Sequence, residues 1–211
     1  MFCLLEEDLV LGVNCQQALE LRLLEFLIVE VAQLNTSRLW PGIIRVRDFA
    51  YVFGGNTSYA LTSCEKYHVK VKEWRNIGDM HGPKSCFTPC LVRNEVYLCC
   101  FNPDSKPFEA FNPVTETFRE LPVSYKSSLF GSVTFLVADT LYIVAYEGVL
   151  LKWQLSKLSL DPALQIDLQG DKNSGSSNIP PMQEGKHVYW VNYNNRQLIE
   201  FDLEENSIVK R

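Results

Sequence analysis

A tyrosine closing a short apolar phrase recurs four times along the chain. VRDFAY ends at Tyr51, VRNEVY at Tyr97, VADTLY at Tyr142 and EGKHVY at Tyr189, at intervals of 46, 45 and 47 residues. A second ladder runs downstream of the first: Tyr67 with Trp74, Phe111 with Phe118, Trp153 with Leu160 and Phe201 with Ile208. Members of each pair stand seven apart, and the pairs are spaced by 44, 42 and 48 residues. Two independent ladders with one period in the forties restrict the chain to a repeat architecture, in which each unit buries its apolar face only against its neighbours. Within a copy, short apolar phrases bounded by turn residues read as two strands, a break and two more strands.

The first copy carries the fullest motif, YVFGG over Tyr51 to Gly55, followed by Tyr67 and Trp74. At these residues the chain resembles a kelch-type β-propeller, whose motif is an apolar strand ending in Gly-Gly, then a Tyr and a Trp with six residues between them, with Pro and Arg before the next blade. The other copies depart from it. Cys100 and Phe101, Ala145 and Tyr146, and Asn192 and Tyr193 stand where the first copy has Gly54 and Gly55. Positive φ is cheap for Gly and moderately costly for Asn, so the sharp turn is in question in those copies. The resemblance covers about residues 31 to 211. It implies an all-β fold, a partial kelch-type β-propeller of four four-stranded blades at about 35–80, 81–123, 124–168 and 169–211. Propellers protect their strand edges by closing rings of four to eight blades, and kelch relatives commonly have about six. Four copies therefore leave three outcomes: a small or distorted ring, an open arc completed by another chain, or a truncated product. The expectation is an incomplete propeller, with self-association through open blade edges.

Residues 1–34 form a separate N-terminal segment with two readings. The run from Gln16 to Leu34 is rich in helix formers and carries Glu20, Arg22, Glu25 and Glu30, which predicts an amphipathic helix. Sliding the period back by 46 instead puts Leu21 under Tyr67, Ile28 under Trp74 and Arg38 under Lys84, which makes the run the worn outer half of a preceding blade. Alternation of Leu19, Leu21 and Leu23 with Glu20 and Arg22 favours strand, and the helix is slightly preferred. Further along, Gln169 to Pro181 is rich in Gly, Ser, Asn and Pro without periodic apolar residues, so it reads as a long exposed loop.

Charge and composition remove several function classes. A net charge of −5 gives no footprint for nucleic acid or an anionic membrane surface, and no apolar run is long enough to span a bilayer. Glu6, Glu7 and Asp8 occupy the place where a secretory signal needs positive charge. Seven cysteines, an odd number lying mostly in apolar strand runs, suit reduced thiols of a cytoplasmic protein.

The chemistry inventory is thin. Cys86, Cys90, Cys99 and Cys100 with His81 invite a metal reading, but the spacing is C-x3-C followed by a vicinal pair whose side chains leave opposite faces of a strand. Buried core thiols are the ordinary account. A redox role for Cys99 or Cys100 requires a lowered thiol pKa. His68, His81 and His187 have no nucleophile context, no Gly-rich phosphate loop follows a strand, and the carboxylate pairs Glu6 with Glu7 and Glu204 with Glu205 sit in turns or near the terminus. The reading is no catalytic residue, no metal and no cofactor. The alternative is a metal-dependent or carbohydrate-directed enzyme, since one copper oxidase family uses a kelch-like propeller. An inactive truncated fragment is the third.

Binding remains. In a four-stranded blade, the loop after the second strand and the crossing between blades share one rim. That rim carries Asn56, Thr57, Ser58 and Tyr59 from the first copy, Asn102, Asp104 and Lys106 from the second, Tyr146 and Glu147 from the third, and Tyr193, Asn194, Asn195 and Arg196 from the fourth. Tyr, Asn and Arg on loops of a rigid scaffold suit an interface; solvated loops are the bland account. The expected function is a non-catalytic protein-interaction module of scaffold or adaptor type. No BTB or F-box sequence precedes the repeats, so the adaptor version lacks its usual ligase-binding half.

Overall fold

The computed structural model describes residues 2–5, 9–14, 17–22, 27–100, 108–121, 132–145, 149–157, 159–160, 166–167, 181–191 and 197–210. Four strands come first: β1 (Phe2–Leu5), β2 (Leu9–Asn14), β3 (Gln17–Arg22) and β4 (Leu27–Val31). The first blade follows with β5 (Gly42–Val46), β6 (Phe49–Phe53), β7 (Ser63–His68) and β8 (Glu73–Asp79). The second has β9 (Cys90–Val92), β10 (Glu95–Cys99), β11 (Phe108–Asn112) and β12 (Thr117–Glu120). In the third are β13 (Ser132–Val137), β14 (Thr140–Ala145), β15 (Val149–Gln154), β16 (Ser159–Leu160) and β17 (Ile166–Asp167). The fourth has β18 (Met182–Glu184), β19 (His187–Val191), β20 (Leu198–Asp202) and β21 (Ser207–Lys210). Each group is one antiparallel sheet with strands in chain order, β17 alone pairing off the path with β15. The helical content of the described residues is one 3-10 turn, Leu155–Lys157.

Both ladders have a direct physical origin in this topology. The pairs seven residues apart are cross-strand partners: Tyr67 faces Trp74, Phe111 faces Phe118, Trp153 faces Leu160 and Phe201 faces Ile208. The tyrosines all close the first hairpin, Tyr51 opposite Ile44, Tyr97 opposite Cys90, Tyr142 opposite Phe135 and Tyr189 opposite Met182. Four residues before each tyrosine the backbone turns left-handed, at Arg47 (φ 55), Arg93 (φ 57), Ala138 (φ 52) and Gly185 (φ 58). A two-residue hairpin demands this conformation, and one copy of four supplies the residue that adopts it without penalty.

The N-terminal segment corrects the preferred expectation. Gln17–Arg22 and Leu27–Val31 are two strands of a four-stranded sheet, and Leu21 pairs with Ile28 as the slid-back period requires. The alternation of Leu and charged residues over 19–22 has the two-residue period of a strand, and that pattern outweighed helix propensity.

Successive blades share three cores. Tyr51, Phe53 and Cys64 of the first blade pack on Val96, Leu98 and Phe111 of the second. Cys90, Cys99 and Phe108 of the second pack on Leu141, Ile143 and Trp153 of the third. Phe135, Tyr142 and Val144 of the third pack on Val188, Trp190 and Phe201 of the fourth. Each blade thus turns the face bearing its tyrosine forward and receives its predecessor on the other face. First strands run side by side, β1 with β5 and β9 with β13. A cavity of about 350 Å³ is lined by Ile44, Leu91, Thr134 and Gln183, one from the first strand of each blade, which marks the axis. Fourth strands β8 and β12 are mostly exposed and form the outside.

Charged ties reinforce the stacking away from the axis. Lys66 and Arg75 of the first blade reach Glu116 in the last hairpin of the second, at 2.5 and 2.6 Å. Lys152 of the third blade donates to Asn206 Oδ1 at the matching place in the fourth.

Candidate functional site

The rim is held from beneath by two buried ion pairs. Arg38, in the crossing that enters the first blade, places Nη2 2.7 Å from Glu65 Oε1, with both side chains fully buried. Its Nη1 donates to the carbonyls of Gly54 and Ser63, each at 2.7 Å. Glu65 in turn accepts from the backbone N–H of Asn35 and Thr36 at 2.7 and 3.0 Å. One residue pair therefore fastens the crossing, the glycine turn and the third strand together.

The second copy repeats the device with a different cation. Lys84 Nζ lies 2.5 Å from Glu109 Oε1, again with both side chains fully buried. Glu109 Oε2 accepts from the backbone N–H of His81 at 2.9 Å and lies 2.8 Å from His81 Nδ1. Burial pushes the Glu109 carboxyl up, but the Lys84 charge and the hydrogen bonds from Lys84 and His81 outweigh it and hold the group below the ordinary glutamate range. Burying a charge is tolerable only when partners satisfy it in this way.

Above these pairs the rim backbone is cross-tied. Leu39 and Asn56 exchange N–H to carbonyl bonds at 2.8 and 2.7 Å, Gly55 N–H donates to the Lys84 carbonyl at 2.8 Å, and Cys86 N–H donates to the Trp40 carbonyl at 2.9 Å. The crossing into the first blade, the loop after β6 and the crossing into the second blade thus lie together, as the topology argument expects. A Cβ on Gly54 would sit 2.2 Å from the Lys84 carbonyl oxygen, and the residue has φ +56. The glycine is required by close approach as well as by conformation.

Of the sequence candidates, Thr57, Ser58 and Tyr59 are exposed on this rim, Tyr59 at 69%. Asn56 is half-buried and its backbone belongs to the bridge with Leu39. Asn102, Asp104, Lys106, Tyr146, Glu147, Tyr193, Asn194, Asn195 and Arg196 lie outside the described residues. The structure adds two residues that sequence reasoning missed, Leu39 and Trp40, exposed at 39% and 40%. The available signal was an apolar pair inside the punctuation Asn-Thr-Ser-Arg-Leu-Trp-Pro-Gly, where no strand face needs it.

The cysteine cluster is dispersed by the same topology. Cys99 packs between the second and third blades and its neighbour Cys100 between the first and second, so the vicinal pair leaves the strand on opposite sides. His81 is engaged by Glu109. Burial pushes the Cys100 thiol up to about 11, Cys64 and Cys90 up to about 12, and Cys99 well above the ordinary range. These thiols stay protonated and unreactive at neutral pH. The described cysteines, Cys64, Cys86, Cys90, Cys99 and Cys100, are free.

No protein-family model matches the chain, and no curated protein matches it in sequence. Among solved structures, that of YjhT is similar, with a TM-score of 0.65 over 86% of this chain and 67% of that one at 14% identity. Identity at that level carries the fold alone. Stacked four-stranded sheets, three shared cores, an axial cavity and this likeness together make the chain a β-propeller.

Proposed function

We propose that the chain is a kelch-type propeller acting as a non-catalytic protein-binding module of scaffold or adaptor type, with the rim built on Leu39, Trp40, Asn56, Thr57 and Tyr59 as part of its partner surface. The observation that carries this reading is the exposure of one tryptophan, one leucine and one tyrosine on a rim whose backbone is tied in place by six hydrogen bonds among Leu39, Trp40, Gly55, Asn56, Leu61, Lys84 and Cys86. Aromatic anchors held rigidly lose little entropy when a partner covers them. The kelch assignment draws on the YVFGG phrase, the Tyr67 and Trp74 cross-strand pair and the buried arginine of the crossing. Free buried thiols accord with a reducing cytoplasmic location.

The test is affinity capture from cells with quantitative mass spectrometry, comparing the wild type with the double variant Trp40→Ala, Tyr59→Ala. Proteins enriched by the wild type and reduced at least about tenfold by the variant support the module. An unchanged set removes this rim from the reading. Stoichiometric copper or zinc in the purified protein overturns it in favour of an enzyme.

A further inference from the structure

We infer that the axial cavity binds a neutral, largely apolar small molecule of about two rings, whose one hydroxyl or carbonyl oxygen hydrogen-bonds to Thr134. All four blades supply the wall: Ile44 from β5, Cys90 and Leu91 from β9, Thr134 and Phe135 from β13, and Gln183 from β18. Further Leu, Val and Pro side chains complete it, and Asp, Glu, Lys, Arg and His are absent from the described residues that line it. A charged guest would give up its hydration there with nothing in the wall to replace it. The cavity therefore selects a neutral one.

Thr134 supplies the polar contact. The residue is 1% exposed, and its Oγ1 is buried with no hydrogen-bond partner among the described residues. A buried hydroxyl in that condition is costly, and native proteins keep few of them. Its strand neighbours Val133 and Phe135 and its cross-strand partner Ile143 are apolar, so valine would serve the fold equally at this place. The second polar side chain of the wall is engaged in its own hairpin, where Gln183 Nε2 donates to the Gly185 carbonyl at 3.1 Å. A hydroxyl both donates and accepts, so Thr134 can serve a guest's hydroxyl or its carbonyl.

Volume sets the size of the guest. At about 350 Å³ the cavity falls within the range of small-molecule sites, about 300–1,000 Å³, which are apolar with a few placed polar groups. An apolar cavity of about 150 Å³ holds one benzene, so this one takes about two fused rings. Solvent reaches it, since Leu91 is 40% exposed and Gln183 is exposed as well. Leu39, Trp40 and Tyr59 take no part in the wall, so the site is separate from the partner surface on the rim.

The test is ligand-observed NMR titration of the full chain with 1-naphthol, naphthalene and 1-naphthalenesulfonate. 1-Naphthol is expected to saturate one site and to bind at least about fivefold tighter than naphthalene, with no competition from the sulfonate. Thr134→Val should bring 1-naphthol down to the affinity of naphthalene and leave naphthalene no weaker. Leu91→Trp, at an exposed position, should weaken both by about tenfold or more with unchanged far-UV circular dichroism, and it carries the test should Thr134→Val fail to fold. The rim variant Trp40→Ala, Tyr59→Ala should alter neither, which keeps failure of this site distinct from failure of the rim. A wild type without saturable 1-naphthol binding, a preference for 1-naphthol that survives Thr134→Val, binding untouched in a folded Leu91→Trp, or a sulfonate that competes equally each overturns the proposal.

Discussion

Tyr51 of the first blade and Phe111 of the second meet across the blade boundary with ring centroids 5.3 Å apart. The contact recurs as Tyr97 with Trp153 at 5.7 Å and Tyr142 with Phe201 at 6.1 Å. The two sequence ladders are thus the two halves of one interface, read on consecutive blades. Phe111 is fully buried and also touches Phe53 at 5.3 Å. Phe111→Ala is expected to cost about 3–5 kcal/mol in denaturant unfolding, through lost burial and the cavity left behind.

The Lys84 and Glu109 pair is expected to be unequal to its separate members. Lys84→Met strands a buried carboxylate and should cost about 3–5 kcal/mol, while Lys84→Met with Glu109→Leu should recover much of that loss. The carboxyl is held below its ordinary value of 4.5, so its contribution is full above that value and lost as pH falls through the folded-state pKa. Unfolding measured against pH should show an acid-side decline that Glu109→Gln makes shallower.

Two glycines at positive φ should respond differently to alanine. Gly54→Ala meets the Lys84 carbonyl at 2.2 Å as well as the conformational penalty, whereas Gly78, at φ +96, has nothing within 4 Å of an added Cβ. Thermal or denaturant melts should put the Gly54→Ala loss at about 3 kcal/mol or more and the Gly78→Ala loss at about 1–2 kcal/mol.

At Ala138 the expected change has the opposite sign. Its φ of 52 is imposed by the hairpin between β13 and β14, and the matching position in the fourth blade is Gly185. Ala138→Gly should raise unfolding stability by about 1 kcal/mol, measured as a shift of the denaturant midpoint at constant slope.

What the sequence determined by itself was periodic. The spacing of tyrosines and of the seven-apart pairs depends only on strand and hairpin lengths, so it gave the sheet unit, its repeat and the rim on which the loop after β6 meets the crossings. It also carried, in Leu21 and Ile28, the correct register of the N-terminal sheet, although helix propensity over Gln16 to Leu34 pointed the other way. Tertiary structure decided which faces mate. The fates of Arg38 and Lys84 as buried cations, of Cys99 and Cys100 in separate cores, and of Leu39 and Trp40 on the surface all depend on residues far away in sequence. Burial is a property of neighbours, and a local pattern does not say which neighbours the blade stacking will bring.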